Sequence, residues 1–255
     1  MDRRSFLTSA AIFSAATAAT AQQSANTGAR HRIKAVAFDG FPIIDSRPIA
    51  AKAEELFPGK GDALITSWRT RQFEYTWLRT LSGRYLDFWH TTEDALIFAA
   101  ESMRMPLDER ARERLMGTYL ELKAWPDAQM ALESLRAAGI RLAFLSNFTT
   151  RMLDAALNNS GLRSLFEPHL STDRVRAYKP HPKAYEMALH AFGAAREEIV
   201  FCASAGWDAA GAKWFGYPTF WVNRSGQPGE ELGARPDGIG SSMTDLVNFV
   251  SGTFG

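Results

Sequence analysis

Six polar residues sit at the ends of apolar runs, or between them, where they could act on a small molecule. Asp39 closes IKAVAFD (33–39). Ser146 and Asn147 close IRLAFLSN (140–147). Ser204 and Asp208 follow IVFCA (199–203). Lys179, beside Pro180, lies between the second and third runs. A carboxylate with a cation beside it in a partly desolvated site stays ionised and can attack or accept a proton. A hydroxyl–amide pair ahead of a helix start can hold an anionic group. Each has a plainer reading alone: a turn-forming aspartate, a Ser-Asn helix cap, a solvated Lys-Pro loop. In this order, at these places, they read as one convergent site.

That convergence needs a sheet. The apolar runs at 33–39, 140–146, 199–203 and 219–222 read as buried parallel strands. Helical patterns at 127–138, 149–159, 181–192 and 207–215 are followed by Gly139, Gly161, Gly193 and Gly216, which suit helix C-termini. The alternation predicts an α/β fold with a doubly wound, Rossmann-like parallel sheet. In such sheets ligands bind outside the carboxyl ends of the strands, where the six residues fall. The stretch 46–125 has helical spacing at 61–81, 92–103 and 108–123 and little strand character. It predicts a helical cap inserted after the first strand. Residues 31–45 and 126–255 then form the core, with Pro126 and Asp127 marking the return.

The chain has 255 residues, 46% hydrophobic and 22% charged, with formal net charge +1. This is the composition of a soluble globular protein and gives no basic surface for nucleic acid or an anionic membrane. Residues 1–30 differ. Arg3 and Arg4 precede Phe6-Leu7, a short Ala/Ser/Thr-rich apolar run and Ala19-Thr20-Ala21. The pattern resembles a twin-arginine export signal cleaved near Ala21, which predicts a periplasmic mature protein with no membrane anchor. Cleavage would remove one acid and two bases and leave a neutral chain. Cys202, the sole cysteine, cannot form an internal disulfide, and its apolar run predicts a buried strand position.

The order of acid, hydroxyl, lysine and second acid resembles the haloacid dehalogenase superfamily. SWRTRQFEYTWLRTLSGRYLDFWHTTEDAL (67–96), LSN (145–147), YKP (178–180) and WDAAGAKWFGYPTFWVNR (207–224) are similar to the type II, L-2-haloacid dehalogenases within it. The resemblance runs from Ile33 to the end. It implies that Asp39 attacks C2 of a 2-haloalkanoate and expels halide with inversion. Water then hydrolyses the aspartyl ester to a 2-hydroxy acid, with no metal or organic cofactor. Lys179 and Asp208 would serve the nucleophile and the water. Arg69 would receive the departing halide with help from Asn147, and Ser146 would hold the substrate carboxylate. Tyr185 would support the lysine, and Phe41, Phe73, Phe88 and Trp207 would wall the pocket. The resemblance also implies a homodimer through cap helices, and Trp68, Tyr75 and Trp77 suggest a partner surface.

The chain departs from the family at two motifs. Asp-x-Tyr-Gly-Thr is replaced by Asp39-Gly40-Phe41-Pro42-Ile43. Ser-x-Asn is replaced by Ala203-Ser204-Ala205. Phe41 stands where most superfamily members carry a second acid for Mg²⁺, and an apolar side chain cannot ligate a hard cation. That removes a principal part of a phosphatase. The lost threonine, serine and asparagine orient the nucleophile and the hydrolytic water in the family. Two alternatives therefore stay open beside a dehalogenase: a hydrolase of another 2-substituted small acid, and a weakened periplasmic carboxylate binder.

Overall fold

The computed structural model describes residues 32–252. The proposed export signal and its cleavage point lie outside them. Six strands form one parallel sheet in the order β3-β2-β1-β4-β5-β6. They are β1 (Ala35–Phe38), β2 (Arg141–Ser146), β3 (Leu170–Ser171), β4 (Ile199–Ala203), β5 (Thr219–Val222) and β6 (Gly238–Gly240). β1 is central. Phe38 lies opposite Phe144 of β2 on one side and Cys202 of β4 on the other. The strand order reverses at β1, which opens a crevice at its carboxyl end.

The strands alternate with the sheet's two-residue period, and each face has its own core. Val36, Phe38, Leu142, Phe144, Val200 and Cys202 pack on one face against α5 (Ala128–Ala137), α6 (Thr150–Ser160) and α9 (Met243–Gly252). Ala35, Ala37, Ala143, Leu145, Ile199, Phe201 and Ala203 pack on the other against α7 (Pro182–Phe192) and α8 (Gly206–Phe215). Apolar runs without a polar face are thus what a sheet covered on both sides requires. Each fully buried Leu or Phe contributes roughly 1.5–3 kcal/mol relative to exposure.

Between β1 and α5 the chain forms α1 (Arg47–Leu56), α2 (Gly61–Leu81), α3 (Phe88–Ser102) and α4 (Glu109–Thr118). It leaves and returns along two antiparallel segments. The Asp45 N–H donates to the Lys123 carbonyl at 2.8 Å and the Trp125 N–H to the Ile43 carbonyl at 2.8 Å, flanking an Ile44–Ala124 bridge.

α2 buries Leu64, Trp68, Gln72 and Thr76, a stripe at four-residue spacing. Trp68 Nε1 donates to the Thr92 carbonyl at 2.8 Å and Gln72 Nε2 to Thr92 Oγ1 at 2.6 Å, locking α2 onto α3. Trp68 is therefore a core residue, 1% exposed, and does not contribute to a partner surface. The next positions on the helix, Arg69 and Phe73, face the crevice.

Candidate active site

Asp39 stands one residue beyond β1. Its N–H donates to the Cys202 carbonyl at 2.9 Å, which extends the β1–β4 ladder and fixes the carboxylate at the sheet end. Oδ1 accepts from Lys179 Nζ at 2.8 Å, and Oδ2 accepts from Ser204 Oγ at 2.6 Å. The Phe41 N–H approaches Oδ2 at 3.4 Å. Gly40 lets the turn pass close to β2: a Cβ there would lie 3.4 Å from Ser146 Oγ.

Lys179 is 1% exposed and donates also to Asp208 Oδ2 at 2.6 Å. Its main-chain N–H donates to Asn147 Oδ1 at 3.1 Å, so the residue after β2 positions the lysine. Asp208 Oδ1 accepts from Tyr185 Oη at 2.7 Å. The packing depends on Gly211 of α8, since a Cβ there would come within 2.6 Å of Tyr185 Oη and 2.7 Å of Pro180 Cβ.

One ammonium thus serves a buried carboxylate, Asp208, and a part-buried one, Asp39, and their environments pull them apart. Burial raises the Asp39 carboxyl, but the Lys179 charge and the hydrogen bonds from Lys179 and Ser204 outweigh it and hold Asp39 below its ordinary value. For Asp208 burial wins. Reinforced by repulsion from Asp39 against the pull of Lys179, it pushes that carboxyl up to about 6. Burial lowers the Lys179 ammonium, yet Asp208 and Asp39 together hold it above the usual lysine value. An anionic nucleophile next to a carboxyl that titrates near neutrality is a pairing suited to attack followed by proton transfer.

Asp39 opens into a cavity of about 370 Å³. Phe41, Arg69, Phe73, Phe88, Ser146, Asn147, Trp207 and Asp208, all site candidates from the sequence, also line it. The aromatic wall consists of two groups of rings. Phe73 meets Trp207 edge-on with centroids 5.3 Å apart, Phe41 meets Phe148 at 5.1 Å, and Phe88 lies 5.4 Å from Phe148. The Arg69 guanidinium lies over the Phe41 ring, 5.1 Å from its centroid. No described residue forms an ion pair with Arg69, so its charge remains available to an anion. Lys179 and Tyr185 do not line the cavity. Tyr185 stands behind Asp208 and touches the site only through it, so it is a support and not a substrate contact.

Sequence reasoning missed several wall residues, among them Arg47, Trp125, Phe148 and Arg224, whereas Ser204, read there as part of the convergent site, also lines the cavity. Arg47 and Arg224 both stack on Trp125, at 4.6 and 4.5 Å from the ring centroid. Arg224 also binds Asp127, with Nη2 2.9 Å from Oδ1. It follows the carboxyl end of β5, a position the strand-end rule marks as ligand-facing.

The fold, the helices inserted after β1 and the acid–lysine–acid cluster at the strand ends define a family. A sequence model of the haloacid dehalogenase-like hydrolases matches residues 10–216, and the chain belongs to that family. Over 221 residues it is 42% identical to haloacetate dehalogenase H-2 of Moraxella sp. (strain B), covering 86% of this chain and 99% of that one. It is 41% identical over 216 residues to the (S)-2-haloacid dehalogenase of Pseudomonas sp. (strain YL), covering 84% and 93%. Among solved structures it is similar to the L-2-haloacid dehalogenase from Xanthobacter autotrophicus with chloropropionic acid covalently bound. The TM-score is 0.80 and identity 32%, over 86% of this chain and 99% of that one.

Proposed function

We propose that the protein is a hydrolytic dehalogenase of short (S)-2-haloalkanoic acids, acting through an ester on Asp39. The carrying observation is the Asp39 carboxylate, kept ionised by Lys179 on a cavity wall that also presents Arg69, which has no ion-pair partner among the described residues. A carboxylate oxygen of Asp39 attacks C2 and the halide leaves with the bonding electron pair, inverting the carbon. A planar cation in an aromatic-walled site stabilises the charge that builds on the departing halide; Arg69 supplies it and Asn147 adds an amide donor. Ser146 and the backbone ahead of α6 hold the substrate carboxylate. Water then adds to the Asp39 carbonyl carbon and the bond from that carbon to the substrate oxygen breaks. The 2-hydroxy acid departs, and one proton is released with the halide. Asp208, near neutrality in its titration, takes the proton from water.

The test uses (S)-2-chloropropionate in ¹⁸O-labelled water, with halide assay and mass measurement of the Asp39 peptide. Catalytic halide release with ¹⁸O in Asp39 is expected. Stoichiometric release with an ester left on Asp39 would mean that hydrolysis has failed, the weakness to which Ile43, Ala203 and Ala205 point. Binding without halide release would favour another 2-substituted acid or a binding role. Phosphate release dependent on Mg²⁺ would overturn the reading.

The same proposal extends to assembly and location. The inserted helices act as a cap subdomain and form a homodimer contact, supported by Leu81, Leu78 and Phe98, which are 85%, 57% and 37% exposed. A monomer in light scattering at micromolar concentration would end the dimer. The N-terminal pattern supports twin-arginine export to the periplasm, and cell fractionation that recovers the full-length chain in the cytoplasm would end that.

A further inference from the structure

Asp39 has one side-chain hydroxyl partner among the described residues, and the sequence does not mark it as one. We infer that Ser204 is the positioning residue of the nucleophile, and that it governs the displacement half of the reaction and not the hydrolytic half. The partition rests on the aspartyl-ester reading above.

The two carboxylate oxygens of Asp39 have different surroundings. Oδ1 is bound by Lys179 Nζ at 2.8 Å, and Lys179 is buried and absent from the cavity wall. Oδ2 is bound by Ser204 Oγ at 2.6 Å and approached by the Phe41 N–H at 3.4 Å, and both residues line the cavity. Oδ2 is therefore the oxygen on the substrate side. Ser204 occupies one of its lone pairs and leaves another for C2, which sets the rotation of the carboxylate. Ser204 is itself held, because Trp221 Nε1 on the neighbouring β5 donates to its carbonyl at 3.1 Å. The neighbouring positions have apolar side chains: Ile43 and Ala203 are fully buried, and the Ala205 side chain carries no polar group.

In the first step the Oδ2–C2 bond forms, the C2–halogen bond breaks, and the halide takes the electron pair. Oδ2 is then the bridging oxygen of an ester, a poor acceptor without the charge that Ser204 served. Oδ1 becomes the carbonyl oxygen and keeps the Lys179 ammonium, which polarises it for water. Water adds at Cγ, the Cγ–Oδ2 bond breaks, and Oδ2 leaves as the hydroxyl of the product. One proton of the water goes to that oxygen and the other is released. Ser204 acts before the ester exists and Lys179 acts on both sides of it.

Ser204→Ala and Ser204→Thr, each checked for an unchanged far-ultraviolet spectrum, test this. Rapid-quench measurement with (S)-2-chloropropionate gives the halide released in a single turnover, and mass measurement gives the ester on the Asp39 peptide. Ser204→Ala is expected to slow single-turnover halide release by about 10–100-fold, the scale of a misplaced reacting atom, and to hold less ester than the wild type. Ser204→Thr is expected to recover most of the rate. Equal halide release in Ser204→Ala and wild type, or ester accumulating in Ser204→Ala, would overturn the inference. A ¹³C titration of the Asp39 carboxyl is independent of turnover. Loss of the Ser204 donor is expected to raise its midpoint, and an unmoved midpoint would overturn the positioning role even if no haloacid proved to be a substrate. A wild type inert to all 2-haloacids whose midpoint still moves in Ser204→Ala would defeat the dehalogenase reading and the partition between half-reactions built on it, leaving only the positioning role.

Discussion

Tyr178 Oη donates to the Leu86 carbonyl, 2.6 Å away. The residue preceding Lys179 is thereby fastened to the loop between α2 and α3. Its N–H donates to Thr80 Oγ1 at 3.1 Å, and Thr91 Oγ1 lies 3.2 Å from its hydroxyl. The inserted helices and the Lys179 segment are one mechanical unit. Tyr178→Phe leaves the Leu86 carbonyl with only a 3.4 Å contact from Thr91. The expected result is a loss of about 1–2 kcal/mol in stability and a several-fold fall in kcat with KM little changed. Thermal unfolding and steady-state kinetics check it.

The pH dependence follows from the two carboxylates. Asp39 has a folded value below 3.8, so its contribution to stability is present above 3.8 and is lost as pH falls through the lowered value. Asp208 runs the other way. Its folded value of about 6 lies above 3.8, so its contribution is greatest below 3.8 and is lost as pH rises through about 6. Lys179, raised above 10.5, adds stability that persists below 10.5 and is lost only beyond its raised value. Because Asp208 must be ionised to accept a proton, kcat is expected to rise through an acid limb near pH 6 and stay level to pH 10. A limb near pH 4 would remove Asp208 from that role.

Lys179→Met leaves the buried Asp208 and the part-buried Asp39 with no cation between them. Breaking a buried pair in this way costs about 3–5 kcal/mol. The loss is expected in full in urea unfolding at pH 8 and should shrink at pH 5, where the unpaired carboxyls protonate. Halide release should fall below detection at both pH values.

Arg69 tests the leaving-group side. It makes no ion pair with a described residue, so Arg69→Ala should change stability by no more than about 0.5 kcal/mol. Its kcat should nevertheless fall by about 10²–10³. Arg69→Lys keeps the charge but loses the planar fork, and is expected to recover little. A charged but rescued lysine variant would show that charge alone suffices.

The parts of the fold that were legible before the structure are those with long apolar runs. The strands read at 33–39, 140–146, 199–203 and 219–222 contain β1, β2, β4 and β5, and the helix read at 61–81 is α2 to the residue. β3 and β6, two and three residues long, carry no period to detect. The chain's last helix, α9, went unread although Met243, Leu246 and Val250 are spaced for one buried face. At the site, residues at strand ends were found because the topology dictates where they point. Ser204 lies at such an end too, but whether its hydroxyl meets Asp39 depends on the torsions of the turn after β4, which no pattern of residue types encodes. The aromatic excess of α2 misled for a related reason. Trp68 shares its helix with Trp77, and only the packing of α3 tells which ring is covered.

The paired crossing at 43–45 and 123–125 carries a last consequence. Residues 46–122 depart and come back through a single doorway, and the chain is bonded across it as though they were a hairpin loop. The length of such an excursion is independent of strand register. Asp39 and Asp208 stand at the sheet and are indifferent to that length, whereas Arg69 on α2 and Lys179, fastened through Tyr178 to Leu86, bind the pocket's roof to its chemistry, so the two must evolve together.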